Sequence, residues 1–214
     1  MRKLNVKIWA TALIMVLVMG LQSCGGREKN QKDNPDTTAK EGEKTTNNEV
    51  EKKNTKNTAS DDAISEEAKL HIASLLDSYL LLKNALIAGD AEKAKSSAQA
   101  TLTSLEKFDA SSFTGKPKKV YDGQLDMIKT HNTKILKATD VAAQRQELNM
   151  LSMHILALVK TFKANPMPLY KQHCPMAFDN KGAGWLSESK EIRNPYFGDK
   201  MLKCGSVKDS IIAN

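Results

Sequence analysis

Two short units near the C-terminus carry the donor chemistry of this chain, Cys174-Pro175-Met176 and Met201-Leu202-Lys203-Cys204. Thiolate and thioether are soft ligands, the set that selects Cu(I) and, by the same softness, Ag(I). If the chain between the units folds back, Cys174, Met176, Met201 and Cys204 converge on one ion. Zinc is less well served, because methionine is a poor zinc ligand and few histidines lie nearby. Secondary candidates are His173, beside the first cysteine, His131, and the pair Met150 and His154, which share a helix face at i,i+4. Each has a plainer reading. Cys174 and Cys204 equally suit a disulfide, whose closed loop would contribute about 3–4 kcal/mol by chain entropy, and the spacing does not choose between bridge and metal. His131 falls within an apolar stripe, as a core histidine would. Met150, Met153 and His154 fit the edge of a helix interface, where methionine fills gaps. His71 flanks its stripe and reads as solvated. No nucleophile–base arrangement, phosphate-cradling glycine loop or carboxylate pair stands out, and adjacent residues such as His173 and Cys174 rarely face one another productively. An enzyme is not expected.

Something must position these residues. The segment Tyr170–Gly205 is crowded with proline, glycine and aromatic residues, and neither a helical nor an extended hydrophobic period fits it. It reads as a long irregular loop that needs a staple, with Trp185, Tyr196 and Phe197 burying it and Asn194-Pro195-Tyr196-Phe197-Gly198 as turn chemistry. Upstream, four apolar stripes recur at helical spacing. The first runs from Ala68 through Ile72, Leu75, Leu76, Tyr79 and Leu82 to Leu86, with Asp61 or Ser65 as its cap. Gly89-Asp90 ends it and caps the second, whose small face is Ala91, Ala94 and Ala98, followed by Leu102 and Leu105. Pro117 opens the third, with Tyr121, Leu125, Ile128, His131, Ile135 and Ala138. The fourth starts at Thr139 or Asp140, carries Leu148, Leu151, Ile155, Leu158 and Phe162, and ends before Asn165-Pro166. The expected fold is all-α: an antiparallel four-helix bundle over 61–165 with an irregular Cys/Met/Pro/Gly-rich segment, 166–214, packed on it as part of one domain. The tail Ser206–Ile212 is either a helical turn or a strand.

The N-terminus places the domain. A basic start precedes the apolar run Ile8–Gly20, too short for a comfortable span and matched to a secretory signal over 1–23. Leu21-Gln22-Ser23-Cys24 resembles a lipobox, so Cys24 is expected to carry lipid and to anchor the chain in the cell envelope, facing an extracytoplasmic compartment that permits disulfides. Gly25 lacks an acidic inner-membrane retention residue, which favours the outer membrane. Residues 25–60 hold one large aliphatic residue, Val50, and read as a disordered tether of roughly 30–35 Å reach. The formal charge is +7. Without Arg2, Lys3 and Lys7 of the signal it drops to about +4, evenly mixed with acids, which excludes a nucleic-acid-binding stripe.

The runs Cys174–Ala177, Gly184-Trp185-Leu186-Ser187, Ile192–Gly198 and Met201–Gly205 resemble a family of secreted domains, the domain of unknown function 3347, with the likeness extending over roughly residues 65–212. Such domains occur as lipoproteins and joined to periplasmic adaptor subunits of copper and silver efflux pumps. The resemblance implies an accessory role in heavy-metal efflux or homeostasis, with Cu(I) or Ag(I) as the ion, Cys174, Met176, Met201 and Cys204 at the matching positions, and an efflux adaptor subunit as partner. The alternative is a structural or interaction lipoprotein with a Cys174–Cys204 disulfide and a docking loop.

Overall fold

The computed structural model describes residues 64–213. The expected signal segment 1–23, the expected lipidation site Cys24 and the expected tether 24–60 lie outside the described residues. Helix α1, Glu66–Ala88, starts where Ser65 accepts the backbone N–H of Ala68 on its side chain. It ends at Gly89, whose left-handed φ of 70° lets the chain reverse within one residue. Asp90 then caps α2, Ala91–Lys107, by accepting from Lys93 N–H. Ala94 and Ala98 are fully buried and give neighbouring helices a close approach. Helix α3 spans Gly115–Lys137, with Pro117 in its first turn. Helix α4, Val141–Phe162, is capped by Asp140 through Ala143 N–H and stops at Lys163 in the left-handed region. The four helices follow the stripes read from the sequence, and their apolar faces form one core with Leu75, Tyr79, Leu86, Ile128, Leu148 and Ile155 at its centre. Helix α1 is long and apolar enough to cross a membrane; 56% of its apolar window is buried in this core, while Leu70 and Leu81 are exposed.

His71 corrects one expectation. It is buried, not solvated, stacked on Phe108 with ring centres 3.7 Å apart and its Nε2 3.1 Å from the Tyr121 hydroxyl. The connection after α2 folds back over this end of α1 and encloses it with Phe113.

The C-terminal part corrects a larger one. The fold is not all-α, because a three-stranded antiparallel sheet, in the order β2-β1-β3, is built from the segment expected to be irregular. Strand β1 is Leu169–Cys174, β2 is Ala183–Ser187 and β3 is Ser206–Ile211. The undecided tail is thus a strand. Period-2 alternation is missing from the sequence for a physical reason. Strand β2 is buried on almost every residue and β3 is exposed on almost every residue, so neither alternates. In register, Gln172 faces Trp185 and Cys174 faces Ala183, while β3 shifts past β1 at Lys171/Gln172.

Strand β2 is a sheet edge whose outward N–H groups the bundle covers. Gly184 N–H donates to Asn149 Oδ1 of α4 at 2.9 Å, and Leu186 N–H donates to the Tyr79 hydroxyl of α1 at 2.9 Å. Just beyond β2, Glu188 pairs with Lys83 of α1 at 2.7 Å. The opposite edge, β3, is blunted by charge instead, with Asp209 near Lys160 of α4 at 3.3 Å.

Candidate functional site

The sheet brings the two cysteines together. Cys174 ends β1 fully buried, and Cys204 sits in the turn that leads into β3, where its N–H donates to Met201 O at 3.0 Å. Their sulfurs are 2.7 Å apart, across 30 residues of sequence. Asn194 holds the loop that delivers Cys204. Its side-chain amide donates to Cys204 O at 2.8 Å, its Oδ1 accepts from Tyr196 N–H and Phe197 N–H, and its own N–H donates to Leu202 O. This fully buried asparagine therefore sets the position of the second thiol. The sequence marked it only as a turn residue, and the polar Asn-Pro pair is the one signal that pointed to it.

Aromatic residues bury the loop as expected. Tyr196 packs edge-on to Trp185 and Phe178, with centroids 5.9 and 5.3 Å away, and its hydroxyl donates to Gly184 O. Trp185 and Tyr196 are buried and Phe197 is half-buried. The β1–β2 turn is strained beside the pair. Phe178, Asp179 and Asn180 all have positive φ, from 53° to 65°, a left-handed run that non-glycine residues adopt at a cost.

The methionines relate to the pair less directly. Met176 lies next to Cys204 through its backbone amide, while its residue surface is 48% exposed. Met201 is half-buried and touches Cys204 through its carbonyl. The Cys204 thiol is pushed up from its ordinary pKa, first by its hydrogen bond with Cys174 and then by burial. Two thiolates this close repel, so losing both protons requires an ion or a bond to hold the sulfurs.

His173 is not part of this group. Successive strand residues face opposite ways, and His173 instead lines a cleft of about 200 Å³ between α4 and the sheet, with Asn149, Met153, Lys171 and Leu186. His131 and His154 are brought together elsewhere, across the seam of α3 and α4, with ring centroids 5.8 Å apart. His131 Nδ1 is 2.7 Å from Glu147 Oε2 and His154 Nδ1 is 2.6 Å from Gln124 Oε1. Burial, followed by the neighbouring His131, holds the His154 pKa below the ordinary imidazole value. Met150 lies one turn from His154 and is half-exposed. Among the described residues, no three or more His, Cys, Asp or Glu side chains are grouped to hold an ion. A metal here would have to rest on two such donors plus thioethers, a set that suits soft monovalent ions rather than Zn(II).

Residues 75–166 match the model of a family described as Protein of unknown function (DUF3347). The match covers most of the bundle and is the family that the C-terminal motifs resemble; those motifs lie beyond the matched span. No curated protein and no solved structure matches the chain.

Proposed function

We propose that this chain, whose helical bundle belongs to that family of unknown function, is a tethered extracytoplasmic accessory domain that binds Cu(I) or Ag(I) for heavy-metal efflux or homeostasis. The observation that carries the reading is the convergence of Cys174 and Cys204 on one point at the end of the sheet, with Met176 and Met201 two and three residues away in sequence. The thiolates would bind the ion as cargo, the methionine sulfurs would complete a soft shell, and the lipid on Cys24 would keep the domain near a membrane partner such as an efflux adaptor subunit. The bundle supplies a rigid platform for the cysteine pair.

One distance favours a second reading. Two thiolates sharing an ion at ~2.3 Å bonds sit about 3.7 Å apart in a tetrahedral arrangement and further apart in a linear one. The sulfurs at 2.7 Å are closer than that, which suits a Cys174–Cys204 disulfide in a structural or interaction lipoprotein. Metal loading would then begin from the reduced pair, with Cys204 moving outward by about 1 Å or more. Titration of the reduced full chain with Cu(I) against a competing chelator separates the two. Tight binding that weakens by about two orders of magnitude in Cys174→Ser supports the metal. Micromolar or weaker binding that the substitution leaves unchanged sinks it. Free thiols counted on protein from its native envelope complete the test, because a fully formed, reduction-resistant bridge favours the second reading.

A further inference from the structure

The seam between α3 and α4 holds a second donor pair that the cysteines do not touch. In both His131 and His154 the Nδ1 atom is bonded to an oxygen, Glu147 Oε2 in one case and Gln124 Oε1 in the other. A carboxylate and an amide oxygen can only accept, so Nδ1 carries a proton in each ring, and in the neutral ring Nε2 presents a lone pair. Both Nε2 atoms are buried and without a partner. They are two of seven buried side-chain atoms without a partner among the described residues, and the two that are imidazole nitrogens. Among the chain's four histidines, only these two have an orphaned Nε2 within the described residues.

The arrangement has the form of a two-imidazole metal site. Imidazole ligands usually donate the other ring N–H to a carboxylate, carbonyl or amide oxygen, which fixes the tautomer and the ring direction. Both rings are held that way, one from each helix. With metal–nitrogen bonds of about 2.0–2.1 Å, an ion lies ~3.2 Å from a ring centre. Two rings sharing it have centroids between about 5.2 Å at a tetrahedral angle and 6.4 Å when linear. The observed separation is 5.8 Å, and the planes are inclined by 23°. Met127 and Met150 precede His131 and His154 by four residues, so each lies one turn away on its histidine's helix face. Both methionines are part-exposed, at 38% and 37%. His131 itself is only 5% exposed.

We propose that His131 and His154 bind one soft monovalent ion, of the Cu(I) or Ag(I) class, through their Nε2 atoms across the α3–α4 seam. Two neutral nitrogens suit a low-coordinate d¹⁰ ion better than a divalent one that needs three or four ligands. Glu147 Oε2, which is hydrogen-bonded to His131 and also lies 3.5 Å from Lys134 Nζ, places a carboxylate behind the first ring. This site does not depend on the cysteine reading and stands whether Cys174 and Cys204 take metal or form a bridge.

The test uses the full chain with ¹⁵N-labelled histidine, all three cysteines, Cys24 included, blocked by alkylation, and Ag(I) as a redox-inert probe in chloride-free buffer. The expected result is that the Nε2 resonances of His131 and His154 shift together and saturate at one equivalent, while His71 and His173 stay in place. The double variant His131→Leu/His154→Leu removes two orphaned buried atoms and should remain folded by circular dichroism. It should bind Ag(I) about 100-fold more weakly. Ring shifts confined to His173, or no shift at either seam histidine up to ~100 μM Ag(I), roughly −5.5 kcal/mol, overturn the proposal. So does equal affinity in the double variant. If that variant is unfolded, the ring shifts in the wild-type chain decide alone.

Discussion

Replacing Tyr79 with phenylalanine tests how the sheet is fastened to the bundle. The side chain is fully buried, and its hydroxyl is 2.7 Å from Ser152 Oγ and 2.9 Å from Leu186 N. Ser152 Oγ is also 2.6 Å from Leu148 O. The single serine proton must go to that carbonyl, so the direction of the whole relay follows. Leu186 N–H donates to Tyr79, Tyr79 to Ser152, and Ser152 to Leu148. Burial pushes the Tyr79 phenol well above its ordinary pKa, so it stays a donor at any accessible pH. Tyr79→Phe removes two hydrogen bonds of about 1 kcal/mol net each and strands a buried backbone N–H, which costs a further 1–3 kcal/mol or so. The expected loss is about 3–5 kcal/mol, or roughly 6–20 °C in Tm for a domain of this size. Ser152→Ala should cost less, about 1–2 kcal/mol, because Leu186 keeps its acceptor. Urea unfolding of the full chain gives the stabilities, and amide hydrogen exchange at Leu186 reports the local opening. Because β2 pairs with β1, loosening Leu186 should also speed the reaction of Cys174 with a thiol reagent. A loss under ~0.5 kcal/mol with unchanged protection of Leu186 would refute the relay as the fastening.

Two further outcomes follow from the same structure. Burial lowers the His71 pKa to about 4, against about 6.5 in an unfolded chain. Between those values the unfolded state binds a proton that the folded state refuses, so stability falls as pH drops from 6.5 towards 4. The decline should amount to about 2–3 kcal/mol, read from urea midpoints at pH 7 and 4.5, and His71→Gln should flatten this part of the profile; an equally steep profile in the variant would exclude His71 as its source. At Gly205, φ is +141° and an added Cβ would lie 2.9 Å from both His173 O and the Trp185 ring. Neither a backbone oxygen nor a buried indole yields easily, so Gly205→Ala should cost about 2–4 kcal/mol and displace Cys204, with stability and free-thiol reactivity as the readouts. Stability within about 0.5 kcal/mol of wild type would show that the chain absorbs the clash.

The bundle was legible because its signals are local. Ser65, Gly89, Asp90 and Asp140 cap or stop helices through groups within a few residues of themselves; Gly89 and Asp90 do so where the sequence placed them, and Ser65 and Asp140 are each one of the two residues it offered. The apolar stripes carry the same information at a period of 3.6. The soft donors, too, could be named from residue type, since softness belongs to sulfur and not to the fold. The sheet was illegible because its pattern is not local. Strand β2 owes its outward hydrogen bonds to Tyr79 and Asn149, more than 30 residues away, and its near-complete burial erases the alternation that marks a strand. His71 was misread for a related reason, since what covers it is a loop closing over the bundle end. Sequence spacing gave no means of bringing Cys174 and Cys204 to 2.7 Å, of turning His173 away from them, or of setting His131 against His154 with Glu147 and Gln124 behind. Those placements depend on which surfaces meet when helices and strands pack. Residue type and local period therefore determine which elements and donors exist, whereas long-range packing decides which donors share a site.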